Sequence, residues 1–362
     1  MLFSKIRFLV PIILISFLLA ACGGGGGQKG QPQAGGKPEE KKQEQAAKTQ
    51  QIVAKFPHVV APDTPKGKAI SLFAKRVEEK TQGKMKVEVF PSSQLYGDAE
   101  EMEALLAGNC HFIAPSSTKV VQLNPSFQIF DVPFLFDSEE AVKIFWNDPN
   151  GGQAMQKKLE PKGLMGLGFL CSGFKQLFSS RRPLLTPEDC KGLKFRAAAG
   201  GILTEQFQAL GATSVSIPFG EVYTALQQKT VDGSENNLAN IYTQKFYEVC
   251  PYLTITNHGR FDYSIITNKK WFEGLPADVQ NAVREAAREA QEFSQQEQIR
   301  QDNEYLEKIK QSGKVQVFEL TPEQRAAFRK AEEAYYPKWE ERIGKDLFDA
   351  AREANEAAKQ KK

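Results

Sequence analysis

Arg196 and Asn236 are the residues of this sequence best suited to holding an anion. Arg196 closes the run Lys191-Gly192-Leu193-Lys194-Phe195-Arg196, just ahead of Gly200-Gly201 and a helix start. A guanidinium grips a carboxylate through two parallel hydrogen bonds. The free N–H groups and positive dipole end of the adjoining helix would add to that attraction. Asn236 ends Asp232-Gly233-Ser234-Glu235-Asn236, and its amide can donate to a carboxylate or accept from a hydroxyl. Both positions read as carboxyl ends of short strands, where open α/β sheets bind ligands. Lys175, in Gly173-Phe174-Lys175-Gln176, offers a further cation, and His58 lies between a first strand and Pro62. Side-chain chemistry alone leaves ordinary alternatives open: a structural ion pair for Arg196, a turn residue for Asn236, a solvated lysine for Lys175.

The motifs of catalysis are missing. There is no phosphate-cradling G-x-x-x-x-G-K, no G-x-S-x-G elbow and no H-E-x-x-H. The three histidines, His58, His111 and His258, are not in metal-ligand spacing. Binding without transformation is therefore expected, with no metal and no cofactor. Composition is ordinary for a globular chain: 362 residues, 41% hydrophobic, 25% charged, net charge +3. Nothing reads as a basic face, so nucleic acid is not an expected partner.

The elements that must position these residues alternate between helix and strand. Thr64-Pro65 opens a helix whose apolar face carries Ile70, Phe73 and Val77. Lys86–Phe90 alternates as a half-buried strand, Asp98 caps a second helix ending near Gly108, and His111–Ala114 is a short strand. That stretch reads βαβαβ, the mark of an open α/β lobe. Phe127–Phe136 reads as buried and irregular, 166–179 holds a strand, and Pro187-Glu188 opens a turn or short helix. A strand at Leu193–Arg196, a helix to about Leu210, a helix over Glu221–Lys229, a strand at Val231–Glu235 and a long strand at His258–Thr267 follow. No breaker interrupts 276–313, where Val279, Val283, Ala286, Ala290 and Phe293 share one helix face. A single helix lying across two lobes is expected, with a hairpin bent near 295–302 as the alternative. Two closing helices start near Pro322 and Lys338.

The amino terminus carries Lys5 and Arg7, an apolar run Phe8–Ala21, then Leu19-Ala20-Ala21-Cys22. A basic start, a short apolar stretch and small residues at its end make a secretory signal over 1–21. Its end resembles a bacterial lipobox, which implies cleavage before Cys22 and lipidation of that thiol. Residues 22–50 are too polar to fold and read as an anchored leash. About 28 residues of such coil reach about 30 Å. Cys110, Cys171, Cys190 and Cys250 remain, and sequence does not choose among their pairings or between pairing and simple burial.

The stretches "HVVAPDTPKG" from His58, "VEVFPSSQLYGD" from Val87, "FDVPFLFD" from Phe130, "KGLKFR" from Lys191 and "SIPFGEVYTALQQKTVDGSENN" from Ser216 resemble solute receptors of TRAP transporters. "QKFYEV" and "TNHG" continue the likeness. It covers about 52–350 and is nearest to the DctP-like receptors for C4-dicarboxylates such as succinate, fumarate and malate. The resemblance implies an α/β solute-binding fold of two hinged lobes bridged by a long helix. Lobe I is expected at 52–173 plus about 262–300, and lobe II at 174–261 plus about 301–362. It also implies Arg196 as the carboxylate-binding arginine, Asn236 as a ligand contact, Phe219 as a pocket wall and Lys175 as a second cation. His58 would face the ligand with Ser116 nearby, and His258 would stand behind. The implied function is an exported, membrane-moored receptor that hands a small organic acid to a membrane permease. Another carboxylate ligand, such as a keto acid or sugar acid, or a sensing role, stays open.

Overall fold

The computed structural model describes residues 51–361, so the export signal, Cys22 and the leash lie outside the described residues. The chain begins with β1 (Ile52–Pro57), α1 (Pro65–Lys80), β2 (Met85–Phe90), α2 (Glu101–Leu106) and β3 (Phe112–Ile113), the expected βαβαβ order. Thr64 caps α1 by accepting from the Gly67 N–H at 3.1 Å, and Pro65 occupies the first turn, where its missing donor costs nothing. Gly67 is required there. A Cβ would lie 2.5 Å from the Ala61 carbonyl oxygen, so this helix start is pressed onto the loop after β1. Asp98 does not cap α2 as expected. The helix begins after Glu100 without a side-chain cap, and Asp98 turns to other partners.

Next come α3 (Ser117–Val120), a 3₁₀ helix at Pro125–Asp131, α4 (Glu139–Asn147), α5 (Gly152–Lys157) and β4 (Leu164–Leu170). The 3₁₀ helix supplies the buried irregular segment, with Phe127, Phe130 and Phe136 in the core. The chain then builds β5 (Gln176–Ser179), α6 (Pro187–Cys190), β6 (Lys194–Ala197), α7 (Ile202–Ala209), β7 (Thr213–Ser216), α8 (Val222–Gln227), β8 (Gly233–Asn236), α9 (Leu238–Thr243) and β9 (Tyr252–Ile255). β10 (Tyr263–Asn268) returns to lie between β3 and β4. The strand read over His258–Thr267 is thus shorter, and its first residues form an irregular connector instead. β5, β6, β7, β8 and β9 belong to one sheet, in the order β9-β5-β8-β6-β7, which β11 (Gln316–Glu319) extends beside β9. β6 and β8 run parallel with Arg196 opposite Ser234, which brings their carboxyl ends together.

After α10 (Lys269–Glu273), α11 (Ala277–Gln311) is one helix of 35 residues and not a hairpin. At 1.5 Å per residue it is about 52 Å long. Its first half buries Val279, Val283, Ala286 and Ala290 beside α1 and β4, and its second half buries Tyr305 and Ile309 beside α9. The Tyr305 and Tyr242 rings stand 5.3 Å apart there. The two lobes are therefore bridged by a single continuous helix.

Three helices close the chain rather than two: α12 (Pro322–Glu333), α13 (Tyr336–Ile343) and α14 (Lys345–Gln360). They were expected in the second lobe. Instead Trp339, Ile343, Leu347 and Phe348 share a core with Phe130, Phe136 and Phe145 of the first. An amphipathic stripe announces that a helix will be covered, but not by which surface. α13 also ties to α7, since Glu205 accepts from Lys338 Nζ at 2.8 Å, Trp339 Nε1 at 2.6 Å and Arg342 Nη2 at 2.7 Å. Cys110, Cys171, Cys190 and Cys250 are free buried thiols. Burial pushes Cys110, Cys190 and Cys250 up to about 12, so they stay protonated and inert. Among the described residues no helix is long and apolar enough to cross a membrane.

Candidate functional site

The carboxyl ends of β1 and β6 lead to a partly enclosed cavity of about 340 Å³. Arg196, Ala198, Phe219 and Asn240 line one side; Val60, Lys66, Asp98, Glu101, Ser116 and Lys119 line the other. Phe261 and Tyr263 complete its wall. A larger, more open groove of about 970 Å³ lies beside β4, but it contains none of the expected anion-binding residues.

Arg196 is 1% exposed and fixed by its own lobe. Its Nε and Nη2 donate to the Ile217 carbonyl at 2.9 and 2.8 Å. That bond orients the guanidinium and leaves Nη1 without a protein acceptor among the described residues. Burial draws the group down to about 10, with Asp98 and Glu235 holding it up, so it stays cationic at neutral pH. Asn236 is fully buried and does not line the cavity. Its Oδ1 accepts from the Asn237 N–H at 3.0 Å and Asn240 Nδ2 at 2.9 Å, while its Nδ2 has no partner. The structure thus brings Arg196 to the cavity, whereas Asn236 keeps an orphaned buried donor at the end of the neighbouring strand β8.

Ser116 reaches the cavity because the turn into α3 is stitched to β10: Ser116 bridges to Tyr263, and the Ser264 N–H donates to Pro115 O at 3.1 Å. Phe219 forms part of the wall, and its backbone N–H donates to Asp98 Oδ1 at 3.2 Å. Asp98 lies just before α2 in one lobe and Phe219 just before α8 in the other, so this bond crosses the cleft. His58 is fully buried but does not line the cavity. Both ring nitrogens lack partners, and burial together with the Lys66 charge draws it down to about 3, so it is neutral.

Lys175 is not brought to the cavity. Its Nζ is bonded to Asp131 Oδ1 and Glu235 Oε1, each at 3.0 Å, in a buried cluster behind β8. Glu235 Oε2 also meets His258 Nε2 at 2.8 Å, and the His258 Nδ1 meets Thr256 Oγ1 at 2.6 Å. Burial opposes the Glu235 charge, yet Lys175 and His258 hold its carboxyl down at about 2. His258 and Lys175 thus share the Glu235 cluster, and neither lines the cavity.

Lys66 occupies the place a second cation would need, and sequence reading passed over it. It is 1% exposed, its Nζ has no hydrogen-bond partner, and it sits 3.9 Å from the Tyr263 ring centroid. Burial brings it down to about 8, while Glu101 and Asp98 hold it up. One signal was available. A lysine in the first turn of α1 opposes the helix dipole, an arrangement that favours an anion at that end. Asp98, Glu101, Lys119, Asn240 and Tyr263 were likewise not singled out as site residues.

The sequence and fold have known counterparts. The profile of the bacterial extracellular solute-binding protein family 7 matches residues 56–342. The chain belongs to this family. It is a receptor rather than an enzyme, and receptors of this kind bind small carboxylates outside the cytoplasm and work with membrane permeases. The chain is 43% identical over 302 residues, 83% of its length and 89% of the relative's, to the C4-dicarboxylate-binding periplasmic protein DctP of Shewanella loihica. It is similar to a TRAP periplasmic solute-binding protein of Shewanella oneidensis solved with bound succinate, at 40% identity and a TM-score of 0.81, covering 84% of this chain and 99% of that one. A succinate-bound TRAP receptor of Sulfurospirillum deleyianum is 44% identical with a TM-score of 0.80, covering 83% and 98%.

Proposed function

We propose that this receptor binds a C4-dicarboxylate dianion in this cavity and delivers it to a TRAP permease. One carboxylate would take the open N–H groups of Arg196 and the free Nδ2 of Asn236. The other would meet Lys66, with Ser116 beside it and Phe219 walling the carbon chain. The observation that carries this reading is a pair of buried cations, Lys66 and Arg196, facing one cavity without a carboxylate bonded to either. A buried charge is costly unless paired, so both gain most from an anion that reaches both. A large apolar solute would leave them unpaired.

Calorimetry across succinate, fumarate, L-malate, butyrate and a sugar acid tests it. Dicarboxylates should bind at least about 100-fold tighter than butyrate, the equivalent of about 2.7 kcal/mol for the second carboxylate. Equal affinity for butyrate and succinate would sink the dianion reading.

The mooring is a separate part of the proposal. Lipidation of Cys22 would hold the receptor on a membrane by a leash of about 28 residues, with a reach of about 30 Å. It is supported by the Leu19-Ala20-Ala21-Cys22 end of the export signal. Cys22→Ala should move the receptor from the membrane fraction to the soluble one. Retention with an uncleaved amino terminus would mean that the apolar run itself is the anchor.

A further inference from the structure

The charges around the cavity do not balance a dianion. Lys66, Lys119 and Arg196 face Asp98 and Glu101. Asp98 and Lys119 are paired at 3.0 Å and cancel. That leaves two cations, Lys66 and Arg196, and one acid, Glu101. A ligand of charge −2 neutralises the two cations and strands Glu101 as a buried negative charge beside a second one.

Glu101 is poorly equipped for that. It is 2% exposed, its Oε2 has no hydrogen-bond partner, and it forms no ion pair among the described residues. A buried carboxylate in such surroundings is costly as an anion, and it escapes the cost by protonating. We propose that Glu101 takes up one proton when a dicarboxylate dianion enters, so that binding carries a proton into the cavity. This rests on the dicarboxylate reading of the site.

The groups that face Glu101 set the direction. Lys66 on α1 and Lys119 on α3 favour its charge; Asp98 in the preceding loop and its neighbour Glu100 oppose it. Cys110 before β3 and Tyr263 on β10 also feel it, and both stay neutral. Burial already lifts the Glu101 carboxyl well above the usual carboxylate range. A dianion engages Lys66 and adds its own repulsion, and both push the carboxyl further up. Where Glu101 is already protonated, affinity is flat with pH; at higher pH the proton must be captured on binding, and Glu101 alone lowers affinity by up to about tenfold per pH unit.

Calorimetric titration of the receptor with succinate at pH 7.5, in buffers of different ionisation enthalpy, counts the protons. Most of one proton per succinate is expected. Lys66, at about 8 in the empty cavity, adds to the count at higher pH, so a difference infrared spectrum assigns the proton. With carboxyl-¹³C succinate, a carboxylic-acid carbonyl band should appear on binding and be unmoved by the label. It should vanish in Glu101→Gln and return, shifted, in Glu101→Asp. Tight binding without proton uptake overturns this proposal and leaves the dicarboxylate reading standing. A band that moves with the label places the proton on the ligand, and one that survives in Glu101→Gln places it elsewhere; either overturns the assignment. If succinate, fumarate and malate all fail to bind the wild type, the reading beneath falls, and the proposal with it.

Discussion

Lys66 and Lys175 are both 1% exposed, yet they have opposite surroundings. Lys175 is bonded to two carboxylates, Asp131 and Glu235. Burial works against its charge, but the two acids more than compensate and raise its proton affinity. Lys66 has an aromatic face and no hydrogen-bonded carboxylate, and burial lowers it although Glu101 and Asp98 hold it up from a distance. The same desolvation has been met internally in one case and left unmet in the other. A buried charge with all its partners is architecture, and a buried charge without them is a socket. Arg196 belongs with Lys66, since its one protein acceptor is a neutral carbonyl.

The contrast breaks most visibly at Arg196. Arg196→Ala should cost about 4 kcal/mol of succinate binding, roughly a thousandfold, because the ligand carboxylate would be left without its charged partner. Arg196→Lys should recover little, as ammonium cannot hold the Ile217 carbonyl and a carboxylate in one plane. Near-normal affinity in either variant would remove Arg196 from the socket.

The lysines should then diverge in kind. Lys175→Met strands Asp131 and Glu235 and should cost about 3–5 kcal/mol of stability, read by urea unfolding. The folded fraction should still bind succinate within about threefold. Lys66→Met should do the reverse. It should weaken dicarboxylates by about 2–3 kcal/mol, barely touch monocarboxylates, and raise the melting temperature of the empty receptor by removing an unpaired buried cation. If Lys175→Met lost dicarboxylate binding selectively, while Lys66→Met only destabilised, the assignment of the two roles would be reversed.

Sequence chemistry singled out Arg196 and Asn236 because their positions obey a local rule, strand end, then turn, then helix start, and of the two Arg196 lines the cavity. The six-stranded sheet brings those two ends side by side. It could not separate Lys175 from Lys66, because partnership is not local. Asp131 lies 44 residues before Lys175 and Glu235 60 after it, and nothing in Gly173-Phe174-Lys175 announces either. Lys66 reads as an ordinary first-turn lysine until β10 brings Tyr263 beneath it. Asp98 satisfied every local requirement of a helix cap, yet the opposite lobe supplied it with a better partner. The long helix was legible because its stripe is local, whereas α13 and α14 were misplaced because the surface they cover comes from Phe130–Trp146.

The smallest effect concerns how the socket stays empty of its own acids. Asp98 lines the same cavity as Lys66 and Arg196 but is held away from them, with Oδ2 at 3.0 Å from Lys119 and Oδ1 on the Phe219 N–H across the cleft. It therefore has two separable duties. Asp98→Asn keeps an oxygen for the Phe219 N–H and deletes the negative charge, which frees Lys119 to add to the field felt by a dianion. Succinate affinity should rise, by about 1 kcal/mol or less, since Lys119 remains partly hydrated. Asp98→Ala deletes the bond across the cleft as well, so the closed form loses about 1 kcal/mol relative to Asp98→Asn. The two substitutions should thus be separated by about fivefold in affinity, with Asn the tighter. A loss in Asp98→Ala with no change in Asp98→Asn would mean that Asp98 serves only to latch the lobes. Equal gains would mean that its charge is all that matters, and that the Phe219 bond contributes nothing to closure.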